Sequence, residues 1–444
     1  MDKSKSIQKV SEALLCSNCG ACKAICPKDA ISYASNSLGR VYAEINNNCI
    51  NCGLCSKVCP SLDIHNLHNE YPDRFIGIIQ NVYIGRSTNI DYFRNAQSGG
   101  VCTSILAYLF DTKKIDGAIL CRMLYGNPPI VESVIISKKE DLDECQKSCY
   151  TPVDLLSALR NSQEKKSLAI VGLPCHIQGA VSLYRESNKY QNIKYKIGLI
   201  CDRTLCGGIQ DVIMSYCLND KVKIEWRKKN SRIVNGIKYS YKNAPITILY
   251  KNGQDKILSN LYRFSLKDYF TSPRCRVCYD KLNTFSDIVV GDPWGMSDID
   301  WEAGASVVIT RNNNGEQIIN EMLNQKYVSL KEGNIKELLN GQHIEARRKL
   351  VACYSKALSN IPVKINSYLY ELETPCDKKQ EESANKEIID FLRRDILTKN
   401  KIISESQYII KKQIRKNKIR NSILFKIISK IKKRLVSSQK MAID

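Results

Sequence analysis

Residues 16–27 read CSNCGACKAICP, and residues 48–60 read NCINCGLCSKVCP. Each run contains four cysteines separated by two, two and three residues, and a proline follows the fourth cysteine. Bacterial proteins hold two 4Fe–4S clusters with this spacing, and the fourth cysteine of each run ligates the other cluster. The pattern therefore predicts one cluster on Cys16, Cys19, Cys22 and Cys59, and a second cluster on Cys49, Cys52, Cys55 and Cys26.

A structural zinc site is the alternative, because zinc is also bound by paired CxxC motifs. Zinc needs neither the third cysteine of each run nor the proline, and here both features occur twice. Residues 1–70 are thus predicted to form a small α+β ferredoxin-like domain with a hairpin that turns at Asn36–Gly39. Gly20 and Gly53 are expected to relieve crowding where the backbone wraps a cluster. A domain this small has little apolar core, so metal binding and folding should be coupled.

The composition indicates a multidomain protein of a reducing compartment. The chain has 444 residues, 43% of them hydrophobic, which suits two or three domains with sizeable cores. We expect neither a signal peptide nor a membrane span, because no apolar run of suitable length is present. The 20 cysteines are then expected to be reduced thiols that are available to metals. The net charge of +22 suits an anionic partner, surface or substrate.

Beyond residue 76, short apolar runs alternate with helical patterns, which predicts an α/β domain. Ser98, Gly99 and Gly100 precede an apolar run with helical periodicity from Val101 to Phe110. The free N–H groups and the positive dipole end of such a helix can hold an anionic group, and glycine permits its close approach. An ordinary turn with two glycines is the alternative.

Four further cysteines lie near strand ends, where ligands bind in open α/β sheets. Cys175 follows the buried strand 169–172, and Cys201 ends the next strand. Cys275 and Cys278 form a CxxC motif ahead of a third buried strand. Four such thiolates can hold a metal centre, with Cys206 as the alternative to Cys201 and zinc as the alternative to iron. Other candidates are interpreted as ordinary core or linker residues: Cys145, Cys149, His65, His68 and His176.

The last part of the chain is strongly basic. Between Lys411 and Lys440 there are twelve Lys or Arg residues and no acidic residue. A basic amphipathic helix of this kind is typical of elements that bind an anionic membrane surface or a partner. An acidic electron donor and weak packing on the protein itself are the alternatives, and nucleic acid is not expected, since few aromatic residues accompany the charge. The apolar stripe consists of Ile410, Ile414, Leu424, Ile427, Ile431 and Leu435.

The later motifs and their order resemble those of one family. After the cysteine runs come SGG (98–100), VGLPCHIQG (171–179), IGLICD (197–202), RCRVCYD (274–280) and SDIVVGDPWG (286–295). This series is similar to the coenzyme F420 hydrogenase/dehydrogenase beta-subunit family. The resemblance implies a flavin, FAD or FMN, bound at Ser98, Gly99 and Gly100 without a Rossmann fold, and no GxGxxG motif follows a strand. It also implies a third 4Fe–4S cluster on Cys175, Cys201, Cys275 and Cys278.

The predicted fold is an N-terminal ferredoxin-like domain (1–70), an α/β catalytic domain with a mixed sheet (76–165 and 166–380) and a basic helical tail (385–444). The predicted function is a cytoplasmic iron–sulfur flavoprotein oxidoreductase, with no catalytic acid or base assigned. A ferredoxin- or flavodoxin-like donor would supply electrons for an organic small molecule or a deazaflavin coenzyme. The alternatives are an electron-transfer subunit of a larger complex and a non-catalytic protein of glycan or lipid assembly. The tail is predicted to contact the inner face of the membrane peripherally.

Overall fold

The structure, a computed structural model, describes residues 7–62, 73–162, 164–218, 220–229, 233–234, 237–238, 240–358 and 376–421. The strands are β1 (Ile31–Ser35), β2 (Val41–Ile45), β3 (Asn81–Ser87), β4 (Gly117–Leu124), β5 (Ile130–Ile136), β6 (Leu168–Gly172), β7 (Ile193–Leu199), β8 (Val222–Glu225), β9 (Ile233–Val234), β10 (Ile237–Lys238), β11 (Ile246–Tyr250), β12 (Asp255–Leu258), β13 (Ile288–Gly291), β14 (Ser306–Thr310) and β15 (Val328–Glu332).

The helices are α1 (Gln8–Glu12), α2 (Ala21–Ile25), α3 (Leu54–Lys57), α4 (Ile90–Asn95), α5 (Val101–Asp111), α6 (Pro174–Glu186), α7 (Gly208–Met214), α8 (Leu261–Phe270), α9 (Pro273–Arg276), α10 (Asn313–Asn324), α11 (Ile335–Gly341), α12 (Ile344–Ala357), α13 (Lys378–Asp395) and α14 (Lys399–Asn421). Short 3-10 segments lie at 139–145, 155–161 and 188–190.

The central element is an eight-stranded sheet with the order β15-β3-β14-β13-β7-β6-β4-β5. Four neighbouring strands are parallel to one another: β13, β7, β6 and β4. Three further pairings are antiparallel: β5 with β4, β14 with β13, and β15 with β3. The sheet is therefore mixed, as predicted. Strand β3 pairs antiparallel with β14 and so runs in the direction of the four parallel strands. The segments that follow β3, β13, β7 and β6 consequently leave the sheet at one edge, the carboxyl edge.

Alternate residues of the central strands pack against different elements, as the twofold repeat of a strand requires. Ala118 and Leu120 face one core with α5 and α10, whereas Ile119 faces a second core with α6. The second face also carries the N-terminal unit, since Cys19, Ala21 and Ala24 belong to the same core as α6. The cysteine-rich unit is thus docked on one face of the sheet.

Within that unit, β1 and β2 form the predicted hairpin, with Ile31 opposite Ile45. The unit meets the α/β body at Gly20, which has a left-handed φ of 91°. A Cβ at Gly20 would lie 2.6 Å from the backbone nitrogen of Ser157, whereas a Cβ at Gly53 would have no atom within 4 Å. Gly20 is therefore required for docking against the body as well as for the turn itself.

The pair Gly20 and Gly53 offers a matched test of this docking. Both have positive φ, so alanine at either position should cost about 1–2 kcal/mol in backbone strain. Only Gly20→Ala must also displace the segment around Ser157. We expect Gly20→Ala to lower the thermal midpoint well below that of Gly53→Ala, and to speed proteolytic release of the N-terminal unit. Equal midpoints and equal proteolysis rates would mean that the close approach is unimportant.

A smaller sheet, β12-β11-β8, and helices α7, α8 and α14 enclose a separate core. Ile410 is only 1% exposed there, and Ile414 packs against the same core. For these two residues the predicted membrane-facing stripe is wrong, because the apolar face of α14 is covered by the protein itself. The other four stripe residues, Leu424, Ile427, Ile431 and Leu435, lie outside the described residues, as do His65 and His68. In the described part of the chain, no helix has the length and apolar character needed to cross a bilayer.

The expectation that every cysteine is a free thiol is contradicted at one pair. Cys353 in α12 and Cys376 just before α13 form a disulfide, with Cα atoms 5.4 Å apart. This separation lies within the normal range for a disulfide. The bond attaches the start of the C-terminal helices to the body at α12.

Candidate functional site

The first predicted cluster set is buried where the N-terminal unit meets the body. Cys19, Cys22 and Cys59 are buried, and Cys16 is partly buried. Burial raises the pKa of Cys59, and the nearby Cys19 and Cys16 thiolates raise it further. The Cys22 sulfur also lies 3.1 Å from the Tyr33 hydroxyl. Four thiols that repel one another as thiolates suit a cationic metal centre, which compensates their charge on binding.

The second predicted set lies nearer the surface. Cys52 is exposed, and Cys26, Cys49 and Cys55 are partly buried. All four cysteines line one cavity, together with the backbone of the second run. The four sulfur donors expected for the second cluster therefore surround a common space on the outer side of the unit. These four cysteines fit a 4Fe–4S cluster.

The third set gathers from three places along the chain. Cys175 lies in the first turn of α6, Cys201 follows β7, and the α9 region supplies Cys275 and Cys278. Burial raises the pKa of Cys201, and the thiolates of the other three members raise it further. The four thiols are thus electrostatic neighbours at the carboxyl edge of the sheet. Across the described residues, no three His, Cys, Asp or Glu side chains stand close enough to share a single metal ion.

Cys206 is placed differently from Cys201. It is 1% exposed and packs with Leu205 in the core of the smaller sheet. Its pKa is raised to about 12 by burial, with Cys275 as the nearest interacting cysteine. Cys206 thus lies in an apolar core, whereas the other three members of the third set all act on the pKa of Cys201.

Hydrogen bonds from residues outside the third set hold the CxxC segment in place. The Thr204 N–H points to the Cys275 sulfur at 3.4 Å. The guanidinium of Arg347 donates to the carbonyls of Cys275 and Cys278, both at 2.8 Å. Arg347 is only 7% exposed. A buried cation thus orients the segment and offsets negative charge there.

Arg274 connects the first and third sets. It is 6% exposed, and its guanidinium donates to the Ser61 hydroxyl at 2.9 Å and the Pro60 carbonyl at 3.1 Å. Pro60 and Ser61 directly follow Cys59, and Cys275 directly follows Arg274. Burial raises the pKa of Cys19 and Cys59 in one set and of Cys175 and Cys278 in the other, and the same cation opposes each of these rises.

The two sets are also close through helix α6. A Cβ at Gly179 would lie 3.5 Å from the Cys19 sulfur, and α6 carries Cys175 in its first turn. After burial, Cys19 is the largest cause of the raised pKa of Cys175. Helix α6 therefore carries one predicted ligand of the third set, Cys175, and lies against one predicted ligand of the first set, Cys19.

The SGG motif lies at the same carboxyl edge, at the start of α5. Gly99 donates to the Ser306 hydroxyl at 2.9 Å, and its Cβ would lie 2.5 Å from the Gly85 carbonyl oxygen. A Cβ on Gly100 would lie 2.7 Å from the Tyr92 carbonyl oxygen. Close packing of the protein on itself thus accounts for both glycines, and neither needs a ligand to explain it.

Other groups beside the motif do suit an anionic or polar ligand. Helix α5 has no side-chain cap, so its first-turn donors are free of such a partner. The Gln97 amide is buried, and neither its nitrogen nor its oxygen has a hydrogen-bond partner within the described residues. The Lys229 ammonium lies 2.7 Å from the Ser98 carbonyl oxygen. An orphaned buried amide beside an uncapped helix fits a polar cofactor, so the residues here are compatible with a flavin.

An aromatic and charged cluster beside SGG was missed by sequence reasoning. The rings of Trp294, Trp301 and Tyr241 lie nearly parallel, with centroids 5.3–6.3 Å apart. Asp292 accepts hydrogen bonds from Tyr241 at 2.7 Å and from Arg227 at 2.5 Å. The GDPWG motif signalled Asp292 and Trp294, but nothing local linked Arg227, Tyr241 or Trp301 to them.

His176 is a structural histidine, as interpreted from the sequence. Its Nδ1 accepts from the Leu173 N–H at 3.2 Å, and its Nε2 lies 3.2 Å from the Val153 carbonyl oxygen. Burial lowers its pKa to about 4. The ring is therefore neutral and fully used in fixing the start of α6.

Doubled cysteine runs on the face of an α/β sheet define an iron–sulfur redox protein. A 4Fe–4S dicluster domain matches residues 15–62. The coenzyme F420 hydrogenase/dehydrogenase beta subunit is matched by its N-terminal part over residues 82–160 and by its C-terminal part over residues 165–336. These two parts cover more than half of the chain, and the chain belongs to this beta-subunit family.

Three proteins of two organisms are similar to parts of this chain. Over 271 residues the chain is 30% identical to the coenzyme F420-dependent sulfite reductase of Methanocaldococcus jannaschii, covering 57% of this chain and 38% of that protein. An uncharacterized protein of the same organism is 31% identical, with coverage of 54% and 62%. A subunit of the F(420)H(2) dehydrogenase of Methanosarcina mazei is 28% identical, with coverage of 67% and 83%. The chain thus spans less than two thirds of the first two of these relatives.

Among solved structures, a chain of the F420-reducing NiFe hydrogenase complex from Methanosarcina barkeri aligns with a TM-score of 0.46 and 18% identity. The alignment covers 62% of this chain and 94% of that one.

Proposed function

We propose that the chain is an iron–sulfur flavoprotein oxidoreductase that takes electrons from a ferredoxin- or flavodoxin-like carrier and uses them on an organic substrate. The carrying observation is that the three cysteine sets follow one another in space, from the surface of the N-terminal unit to the carboxyl edge of the sheet. The outer set includes exposed Cys52, and the next set is mostly buried. Cys19 of that set lies against helix α6, which carries Cys175 in its first turn. This order suits entry of electrons at the surface and their use at the carboxyl edge of the sheet.

The groups bound here would supply the redox chemistry: clusters carry single electrons, and a flavin joins one-electron to two-electron steps. The chain would hold the outer cluster with Cys26, Cys49, Cys52 and Cys55, and the inner ones with the other eight cysteines of the three sets. Three of the four thiols of the first set are buried, and those of the third set are partly buried. Arg274 and Arg347 offset the negative charge that thiolate ligands bring into a buried place.

A flavin at Ser98, Gly99 and Gly100 is the finer part of the proposal. It is supported by the unpartnered Gln97 amide and by the uncapped start of α5. Trp294 and Tyr241 supply flat apolar surfaces nearby, and Gly304, packed on Tyr241, is close to the Ser98 carbonyl. The Lys229 ammonium beside Ser98 favours a negatively charged group, such as a phosphate, at this edge.

A second candidate is an electron-transfer protein within a larger complex, with the substrate site on a partner chain. The name of one relative favours it, since that protein is called a subunit of the F(420)H(2) dehydrogenase. In that case the isolated chain would accept electrons from an artificial donor yet reduce no organic acceptor. Direct turnover by the isolated chain would exclude this candidate.

Anaerobic purification followed by release and quantitation of flavin tests the proposal. We expect close to one flavin per chain and its bleaching by reduced ferredoxin. Gln97→Leu, which is similar in size but cannot hydrogen-bond, should weaken flavin retention by about tenfold for each 1.4 kcal/mol lost. A pure, iron-loaded chain without flavin would refute the flavoprotein assignment.

We also propose that the basic tail contacts an anionic membrane surface. Each Lys or Arg near such lipid contributes about 1 kcal/mol, but the covered face of α14 removes apolar burial by Ile410 and Ile414. Binding should therefore be mainly electrostatic and should be lost at high salt. Co-sedimentation with anionic and neutral vesicles checks this, using the full chain and a chain ending at residue 421. Equal pelleting of the two chains, or salt-independent pelleting, would contradict it.

A further inference from the structure

Four cysteines outside the three predicted sets lie together near the start of α5. Cys102 belongs to the first turn of α5, Cys121 to β4, and Cys145 ends a 3-10 segment, with Cys149 four residues later. The Cys121 and Cys149 sulfurs are in direct contact at 4.0 Å. The other two thiols interact electrostatically with Cys121. Sequence reasoning interpreted Cys145 and Cys149 as ordinary thiols.

We propose that Cys121 and Cys149 are a redox-active dithiol that a peroxide converts into an intramolecular disulfide. This inference does not depend on the proposed function. Their sulfurs need to approach by about 2 Å to bond, since an S–S bond is about 2.05 Å long. Cys121 is held in β4 opposite Ser133 of β5, whereas Cys149 belongs to neither a helix nor a strand and is the partner that moves.

The assignment of roles follows from the contact between the two thiols. The Cys121 and Cys149 thiols share one hydrogen bond, and this contact lowers the pKa of Cys121. The same contact and burial raise the pKa of Cys149. Cys121 is partly exposed and Cys149 is buried, so a small oxidant meets Cys121 first. A thiolate that is accessible and carries a lowered pKa is the one that reacts.

The chemistry balances with hydrogen peroxide as the only co-reactant. The Cys121 thiolate attacks one peroxide oxygen, breaking the O–O bond to give a sulfenic acid and hydroxide, which takes a proton to become water. The Cys149 sulfur then attacks the sulfenic sulfur, the S–O bond breaks, and a second water leaves. Two thiols lose two electrons and two protons, and one peroxide becomes two waters.

Peptide mapping resolves the pair, because trypsin places each cysteine on its own fragment. Cys121 lies in 115–122, Cys145 in 140–147, Cys149 in 148–160 and Cys102 in 95–113. Anaerobically purified full chain is treated briefly with substoichiometric hydrogen peroxide, alkylated, and digested. We expect a cross-linked 115–122/148–160 species that is absent without peroxide and is lost on reduction.

Three variants make the test specific. Cys149→Ser should abolish the cross-link and leave Cys121 as a trapped sulfenic acid detectable with dimedone. Cys145→Ser and the remote Cys217→Ser should retain at least most of the cross-link. The proposal is overturned if peroxide leaves Cys121 alkylated like the untreated thiol, or if the cross-link joins Cys121 to Cys145 instead.

Discussion

Replacing Arg274 with methionine should lower the reduction potentials of both inner clusters and destabilise the chain. The guanidinium is buried, donates to Pro60 and Ser61, and opposes the rise that burial causes in the pKa of thiols of two sets. Loss of a buried, hydrogen-bonded charge costs about 2–5 kcal/mol. Adding an electron becomes harder without the cation, so each potential should fall, by about 60 mV for every 1.4 kcal/mol of lost stabilisation.

Potentiometric titration followed by electron paramagnetic resonance measures this effect on the inner and outer clusters separately. Arg274→Lys keeps the charge and should restore most of each potential while losing a hydrogen bond. Arg160→Met is a matched control, because Arg160 links the N-terminal unit to the body through Lys23 and Asp29. It should leave every potential unchanged. Unshifted potentials in folded, fully loaded Arg274→Met would show that the cation does not act on the clusters.

Breaking the ion pair between Arg40 and Asp395 should destabilise the chain by about 3 kcal/mol, because one partner is left buried without its counter-charge. Asp395 ends α13, and its carboxylate accepts from Arg40 at 2.7 and 2.8 Å and from Asn36 at 2.6 Å. The side chains of Arg40 and Asp395 are only 17% and 11% exposed. This contact ties the C-terminal helices to the hairpin of the N-terminal unit.

A double-mutant cycle with Arg40→Ala and Asp395→Ala, read by denaturant unfolding under anaerobic conditions, isolates the coupling of the pair. The surface pair of Lys57 and Glu186, in which Lys57 is 55% exposed, is the control and should contribute at most about 1 kcal/mol. Asp395→Ala should also speed cleavage between the body and α13. A coupling energy no larger than that of the surface pair would show that the clamp is not important for stability.

Sequence spacing predicted those features that depend on residues close together in the chain. The cysteine runs, the hairpin at residues 31–45 and helix α5 depend on nearby residues, and the sequence identified each of them. The order of strands in the central sheet depends on contacts between residues far apart, and only its mixed character was predicted. Arg274 and Gln97 have no distinctive local pattern, because their roles arise from where the fold places their neighbours.

Two expectations failed for a common reason. Helix α14 does have an apolar face. A helical pattern indicates only that such a face will be covered, and it does not show which surface covers it. The body covers Ile410 here. Likewise, the cysteine count gave no sign that Cys353 and Cys376 would meet, since disulfide pairing requires the separation in space and not the separation in sequence.

The central claim is that the chain holds three clusters in succession. The contents of iron, acid-labile sulfide and zinc per chain of the anaerobically purified protein test it. The wild-type chain should hold about twelve iron atoms, and Cys175→Ala should hold about eight, since one 4Fe–4S site is lost. Cys206→Ala should retain all twelve, because Cys206 lies in the core of the smaller sheet. Zinc in place of iron, or about eight iron atoms both in the wild type and in Cys175→Ala, would contradict the account.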